Sequence, residues 1–161
     1  MPVTYPDYSM RTRVLAASAV SIAHTGTTDE TVLATVAIPA GIMGLNGRLR
    51  VTSLWSWTSS ANTKTARCRF SGLSGSQVNA GAGTTTASIQ LFNLIRNVNA
   101  ANSQKFFNGT ITPFNVPNAA AISTSAVDTS ADQTVVFTAQ LTNTGETITL
   151  QDYMVELISV P

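Results

Sequence analysis

Apolar and polar residues alternate along most of this chain with a period of two, the period of a strand that buries one face. From Arg13 onward, apolar-rich stretches separated by turn signals recur about every ten residues, the spacing of a sandwich or barrel. The pattern predicts strands over residues 14–23, 31–38, 48–58, 64–70, 85–96, 105–112, 122–128, 133–142 and 146–160. Turn signals between them include Leu45-Asn46-Gly47, Ser71-Gly72, Asn108-Gly109 and Asn143-Thr144-Gly145-Glu146. No stretch carries a helical period.

Two of these strands make a testable pair. Leu49, Val51, Ser53, Trp55 and Trp57 share one face, and Ala66, Cys68 and Phe70 share another, with Arg67 and Arg69 on its reverse. A hairpin turning through Ser59-Ser60-Ala61-Asn62 sets Trp55 opposite Ala66, Ser53 opposite Cys68 and Val51 opposite Phe70. In the last strand the inward set switches from Ile148 and Leu150 to Tyr153, Val155 and Leu157, which requires a bulge near Gln151-Asp152. The predicted core comprises Val51, Trp55, Phe70, Ile89, Leu91, Val135 and Phe137.

Residues 1–12 read differently. Pro2 and Pro6 impose extended backbone, and Tyr5, Tyr8 and Met10 follow no period, so this segment is expected to be an arm outside a domain at 13–161. Tyr5, Tyr8 and Met10 offer apolar area to a partner, and Arg11 and Arg13 offer charge.

Composition sharpens the picture at one point. Charged residues make up only 11% of the chain, less than half the usual share, and Thr, Ser, Asn and Ala fill their place. A surface of uncharged polar residues stays hydrated without long-range repulsion, which suits the crowding of many copies. The net charge of +1 provides no global field for nucleic acid or anionic lipid. A single cysteine, Cys68, excludes an internal disulfide framework and fits folding in a reducing cytoplasm. Neither a signal peptide nor a membrane span is expected from the chain as given.

Chemistry is sparse. A His-based dyad must use His24, which sits at a turn, while Cys68 falls mid-strand on the inward face. One His and one Cys do not make a zinc site, and the acids are scattered singly except Asp29-Glu30. Asp128 and Asp132 flank a turn where Asp bonds its own backbone. Asp152 and Glu156 read as solvated strand residues and not as a glycosidase pair. Gly81-Ala82-Gly83, after Gly72 and Gly75, reads as a flexible loop without the Lys or helix of a phosphate cradle. No catalytic residue, cofactor or metal is therefore expected. The arginines are the main polar feature: Arg48, Arg50, Arg67 and Arg69 fall on the outward face of the paired strands, a candidate interface. Trp57, near a strand end, would have to be exposed to act as a sugar platform.

Several stretches resemble β-domains of tailed-bacteriophage virion proteins. They are Ala34-Thr35-Val36-Ala37-Ile38-Pro39-Ala40-Gly41, then Gly44-Leu45-Asn46-Gly47 with Leu49-Arg50-Val51-Thr52-Ser53-Leu54-Trp55-Ser56, and then Asn62-Thr63-Lys64-Thr65 with Arg67-Cys68-Arg69-Phe70. The likeness resumes at Leu94-Ile95-Arg96-Asn97 and closes at Gln140-Leu141-Thr142-Asn143-Thr144-Gly145-Glu146-Thr147-Ile148-Thr149-Leu150, leaving the arm outside it. It implies an antiparallel two-sheet β-sandwich of jelly-roll type, a homotrimer by the general habit of such virion parts, and residence in a virion after folding in the host cytoplasm. The function it implies is capsid decoration or a head fibre that docks on other virion proteins. Two alternatives stand beside it. One is a tail-fibre or receptor-binding module contacting host surface carbohydrate. The other is a carbohydrate-binding module of cellular origin.

Overall fold

The computed structural model describes residues 11–107 and 122–159. Eleven strands and no helix make up the described residues: β1 (Arg11–Ser18), β2 (Ile22–His24), β3 (Thr31–Ile38), β4 (Arg48–Trp57), β5 (Lys64–Phe70), β6 (Ser76–Gly83), β7 (Ser88–Asn97), β8 (Gln104–Phe106), β9 (Ser123–Ser125), β10 (Gln133–Leu141) and β11 (Ile148–Ser159). They form two antiparallel sheets. The seven-stranded sheet runs β1-β11-β4-β7-β8-β9, with β2 also on β11, and the four-stranded sheet runs β3-β10-β5-β6.

The pairing is nested. β5 pairs with β6, β4 with β7, β3 with β10 and β1 with β11, so the chain is one long hairpin rolled into two sheets. Two nested pairs fall in each sheet, and that arrangement is the jelly roll. The alternation in sequence is met in space: burial alternates strictly along β5 and nearly so along β4. Trp55, Phe70, Phe137, Leu49, Ile95 and Ile148 interleave between the sheets without solvent contact. Of the predicted core, Val51, Trp55, Phe70, Leu91, Val135 and Phe137 are buried, and Ile89 packs against the core half-buried. The indole of Trp55 donates to Ser53 Oγ at 2.9 Å, which satisfies its one polar atom.

Three expectations are corrected. β4 and β5 are not a hairpin: β4 pairs with β11 and β7, while β5 pairs with β10 and β6. Their apolar faces do turn toward one core, but from opposite sheets. Gly81-Ala82-Gly83, read as a flexible loop, is the end of strand β6. Its glycines lie close under the facing sheet: a Cβ at Gly81 would lie 2.5 Å from Ile89 Cδ1, and one at Gly83 would meet Thr86 and the Trp57 ring, the latter at 2.5 Å. Finally, β1 begins at Arg11 opposite Ser159, so Arg11 and Thr12 belong to the sheet and not to the arm. Tyr5, Tyr8 and Met10, and the expected strand beyond residue 107, lie outside the described residues.

The bulge predicted near Gln151-Asp152 is present as a register shift between Leu150 and Asp152. It explains why the expected strand at 14–23 splits in two. β2 pairs with β11 before the bulge and β1 pairs after it, while Ser21 Oγ donates to Gln151 Oε1 at 2.6 Å across the break.

Candidate functional site

The four arginines of the candidate interface do not share a face. Arg48 and Arg50 stand on β4 in the seven-stranded sheet; Arg67 and Arg69 stand on β5 in the other, so the two pairs point out of opposite sides of the sandwich. The loss of the hairpin separates them.

On the four-stranded side, both arginines are engaged. Arg69 makes a bidentate bond to Glu30, Nε to Oε1 and Nη2 to Oε2, each at 2.7 Å. Arg67 Nη1 stands 3.6 Å from Glu30 Oε2, and Thr138 Oγ1 donates to Glu30 Oε1. The hydrogen bonds from Arg69 hold the Glu30 carboxyl below its ordinary range, and burial lowers the Arg67 guanidinium. Glu30 arrives on the loop between β2 and β3. The same loop accepts a hydrogen bond from Gln140 Nε2 at Thr28 O, 3.2 Å. Nothing in the sequence pattern singled out Glu30, because its partners are far along the chain.

On the seven-stranded side, Arg50 grips Glu156 on β11 with bonds of 2.5 and 2.7 Å, which hold that carboxyl low. Glu156 is thus buried and paired, and Asp152 stands apart from it, correcting their reading as two solvated residues. Around this pair the outer face is apolar, with Val14, Leu54 and Phe92 exposed at 52%, 42% and 43%. At one end of the face Arg48 is the register partner of Arg96, and Arg96 that of Lys105. Register partners in an antiparallel pair project from the same face, so three cations stand in line across β4, β7 and β8. Burial and the neighbouring Arg48 both lower the Arg96 guanidinium.

The loops at one end of the sandwich meet around Lys64, which is fully buried. Its Nζ donates to Ser60 Oγ at 2.8 Å, Asn62 O at 2.7 Å and Thr84 O at 3.1 Å, and Glu146 Oε2 lies 3.6 Å away. Ser60 Oγ donates in turn to Glu146, whose carboxyl is held low chiefly by that bond. A Ser-Lys nucleophile requires a lysine that can give up its charge. Here Nζ is engaged by Ser60, Asn62 O and Thr84 O, with Glu146 beside it, so the cluster ties three loops together.

The remaining candidates are structural. Cys68 is buried, and burial pushes its thiol up; its register partners are Phe137 and Asn79, not Ser53. His24 ends β2 and is buried, with no hydrogen-bond partner for Nε2 among the described residues. Asp128 Oδ1 accepts from the Ser130 amide at 2.9 Å, as the turn reading requires, and Asp132 Oδ1 accepts from the Ala40 amide at 2.8 Å. Trp57 is buried, and its indole donates to Thr86 O at 2.8 Å, so it is not a sugar platform. Among the described residues no three His, Cys, Asp or Glu side chains are grouped to hold a metal ion, and no helix is long and apolar enough to cross a membrane.

No protein-family model matches the chain, and no curated protein matches it in sequence. Solved structures are similar in shape at low identity. The CBM2 module of the evolved Dit of Lactobacillus casei BL23 phage J-1 is 15% identical over 79% of this chain and 69% of that one, with a TM-score of 0.41. The honeybee Sacbrood virus in its expansion state II is 12% identical over 96% of this chain and 84% of that one, at 0.38. Lectin I from Ulex europaeus, solved with a methyl glycoside of α-L-fucose, is 10% identical over 92% of each chain, also at 0.38.

Proposed function

We propose that this chain is a non-enzymatic structural protein of a bacteriophage virion, a capsid decoration or head-fibre protein that self-associates, as a trimer, and docks on other virion proteins. The observation that carries the reading is the contrast in how charge is used. Glu30, Glu146 and Glu156 each bind cations of the same chain and brace the sandwich. The outer face of the seven-stranded sheet instead presents apolar side chains beside three cations in line. Flat apolar surface with an arginine rim is the chemistry of a protein contact, not of a substrate cleft. The sequence resemblance to tailed-bacteriophage virion domains supplies the setting. The receptor-binding and carbohydrate-module readings lose their one nominated platform with the burial of Trp57. The test is co-sedimentation: tagged protein mixed with phage particles lacking it is expected to pellet with them at saturating, stoichiometric occupancy. Protein that stays in the supernatant, with particles infecting and withstanding heat equally well without it, overturns the proposal.

A further inference from the structure

The row formed by Arg48, Arg96 and Lys105 is unusual in a chain with so few charges. Like charges placed directly opposite one another on neighbouring strands destabilise the sheet. Among the described residues none of the three has a carboxylate within 4.0 Å, whereas Arg50, one row away on the same strand, holds Glu156 bidentately. A row of this kind calls for an anion from elsewhere.

The acids of the chain narrow the source. Of eight in the sequence, Glu30, Glu146 and Glu156 are in ion pairs. Asp29 and Asp128 accept hydrogen bonds in their own loops, and Asp132 accepts from the Ala40 amide in the loop after β3. Asp152 shares the outer face with the row, but its register partner Leu54 is six residues from Arg48, roughly 20 Å along the strand at 3.3 Å per residue. That leaves Asp7, which sits in Tyr5-Pro6-Asp7-Tyr8 ahead of the described residues. The composition of that segment fits the row: a carboxylate to face three cations, and on either side a tyrosine whose ring can stack on a guanidinium.

The exit point of the segment also fits. β1 starts at Arg11, and its next residue, Thr12, lies in the same transverse row as Ile158, Arg48, Arg96 and Lys105. The segment therefore leaves the domain beside the row. Its own copy can reach Arg48, two strands from β1, but is poorly placed to reach the rest of the row. Arg96, the centre of the row, is three strands from β1, about 14 Å at 4.8 Å per strand. The four residues from Arg11 back to Asp7 span about 14 Å only when fully extended, with nothing left for the turn sideways. A neighbouring copy has no such restriction.

We propose that residues 5–8 of one copy dock on the Arg48–Arg96–Lys105 row of a second copy, with Asp7 as the anion and Tyr5 and Tyr8 against the guanidinium planes. The inference rests on the reading of the chain as self-associating, and not on its place in a virion.

The test is a charge swap read by sedimentation equilibrium on the full-length protein, free of particles, with circular dichroism to confirm each fold. Asp7→Lys is expected to weaken self-association at least about tenfold, the worth of a charge-assisted contact. Arg48→Glu with Lys105→Glu, both exposed positions, is expected to do the same. Combining all three changes reverses both partners and is expected to restore most of the lost affinity. Association is also expected to weaken steadily with added salt. A monomeric wild-type protein overturns the proposal, as does an Asp7→Lys variant that associates like wild type or a triple variant with no recovery. Asp152→Asn weakening association in place of Asp7→Lys also overturns it, and assigns the row to a face-to-face contact. A monomeric wild-type protein also removes the trimer from the proposed function, but none of these results bears on whether the protein pellets with particles, so docking on a virion and this contact between copies fail separately.

Discussion

On the outer face of the four-stranded sheet, Glu30 gathers Arg67, Arg69 and Thr138, and Val136 and Thr138 of β10 are buried on the side away from the core. On the outer face of the seven-stranded sheet, Leu54 and Phe92 stay exposed, and Arg48, Arg96 and Lys105 line up with no carboxylate among the described residues. Both sheets are pleated, antiparallel and packed on one core, so the fold itself does not require the difference. What separates the faces is a single loop. The segment between β2 and β3 brings Glu30 onto one sheet, and the other has no counterpart among the described residues. One face is thereby covered from within the chain, and the other stays open among the described residues.

The comparison breaks most completely if the shared core fails. Trp55→Ala empties the largest fully buried site and is expected to cost about 3–5 kcal/mol by chemical denaturation, loosening both faces together. A smaller and more selective loss comes from Glu30→Gln, which leaves two half-buried guanidiniums without their carboxylate. That variant is expected to lose about 1–2 kcal/mol, and Glu156→Gln less, because Arg50 is 38% exposed and rehydrates easily. Equal losses at the two glutamates would mean that the loop braces its face no better than the Arg50–Glu156 pair braces the other.

Acid sharpens the same contrast. The folded pKa values of Glu30, Glu146 and Glu156 all lie below ordinary carboxylate values, driven first by hydrogen bonds from Arg69, Ser60 and Arg50 respectively. A lowered folded pKa contributes stability that is complete above the unfolded value, about 4.3 for Glu, and is lost as pH falls through the folded one. Stability is therefore expected to decline below about pH 4.3. Urea midpoints collected from pH 6 to pH 2.5 should fall less steeply in Glu30→Gln than in wild type, and an unchanged slope would remove Glu30 from the account. The smallest effect belongs to the open face. Leu54→Ser is expected to change stability by no more than about 0.5 kcal/mol, since that side chain contacts no core.

Most strand positions were readable from the alternation alone, and so was the bulge, because a switch of inward parity between Leu150 and Tyr153 permits no regular strand. Strand partners were not. Alternation says which side of β4 and β5 faces the core, and it says the same whether they are neighbours in one sheet or face each other across two. β6 was hidden for a different reason. Its Gly and Ala residues have low strand propensity, and Gly81 and Gly83 lie close under Ile89, Leu91 and Trp57 of the other sheet. The clamp around Lys64 and the Glu30 cluster were hidden by distance along the chain. Ser60 meets Glu146 across 86 residues, and Glu30 meets Thr138 across 108. The outward side of each arginine was legible, but which arginines share a side followed from the pairing and was lost with it.

The nested pairing also sets an order of events during folding. Of the four nested pairs, only β5 and β6 are joined by a short connection, residues 71–75. β4 and β7 are brought together once that hairpin exists, then β3 and β10, and β1 meets β11 after nearly the whole chain has been drawn in. Each closure shortens the effective loop of the next, so the entropic cost of a topology this non-local is met in instalments. The kinetic signature is a gradient: φ-values highest in the β5–β6 hairpin and lowest at β1, the strand that carries the N-terminal segment. A flat profile would show that the sandwich condenses all at once. With the gradient, the segment proposed to join copies together is released for its partner only by the last strand to dock.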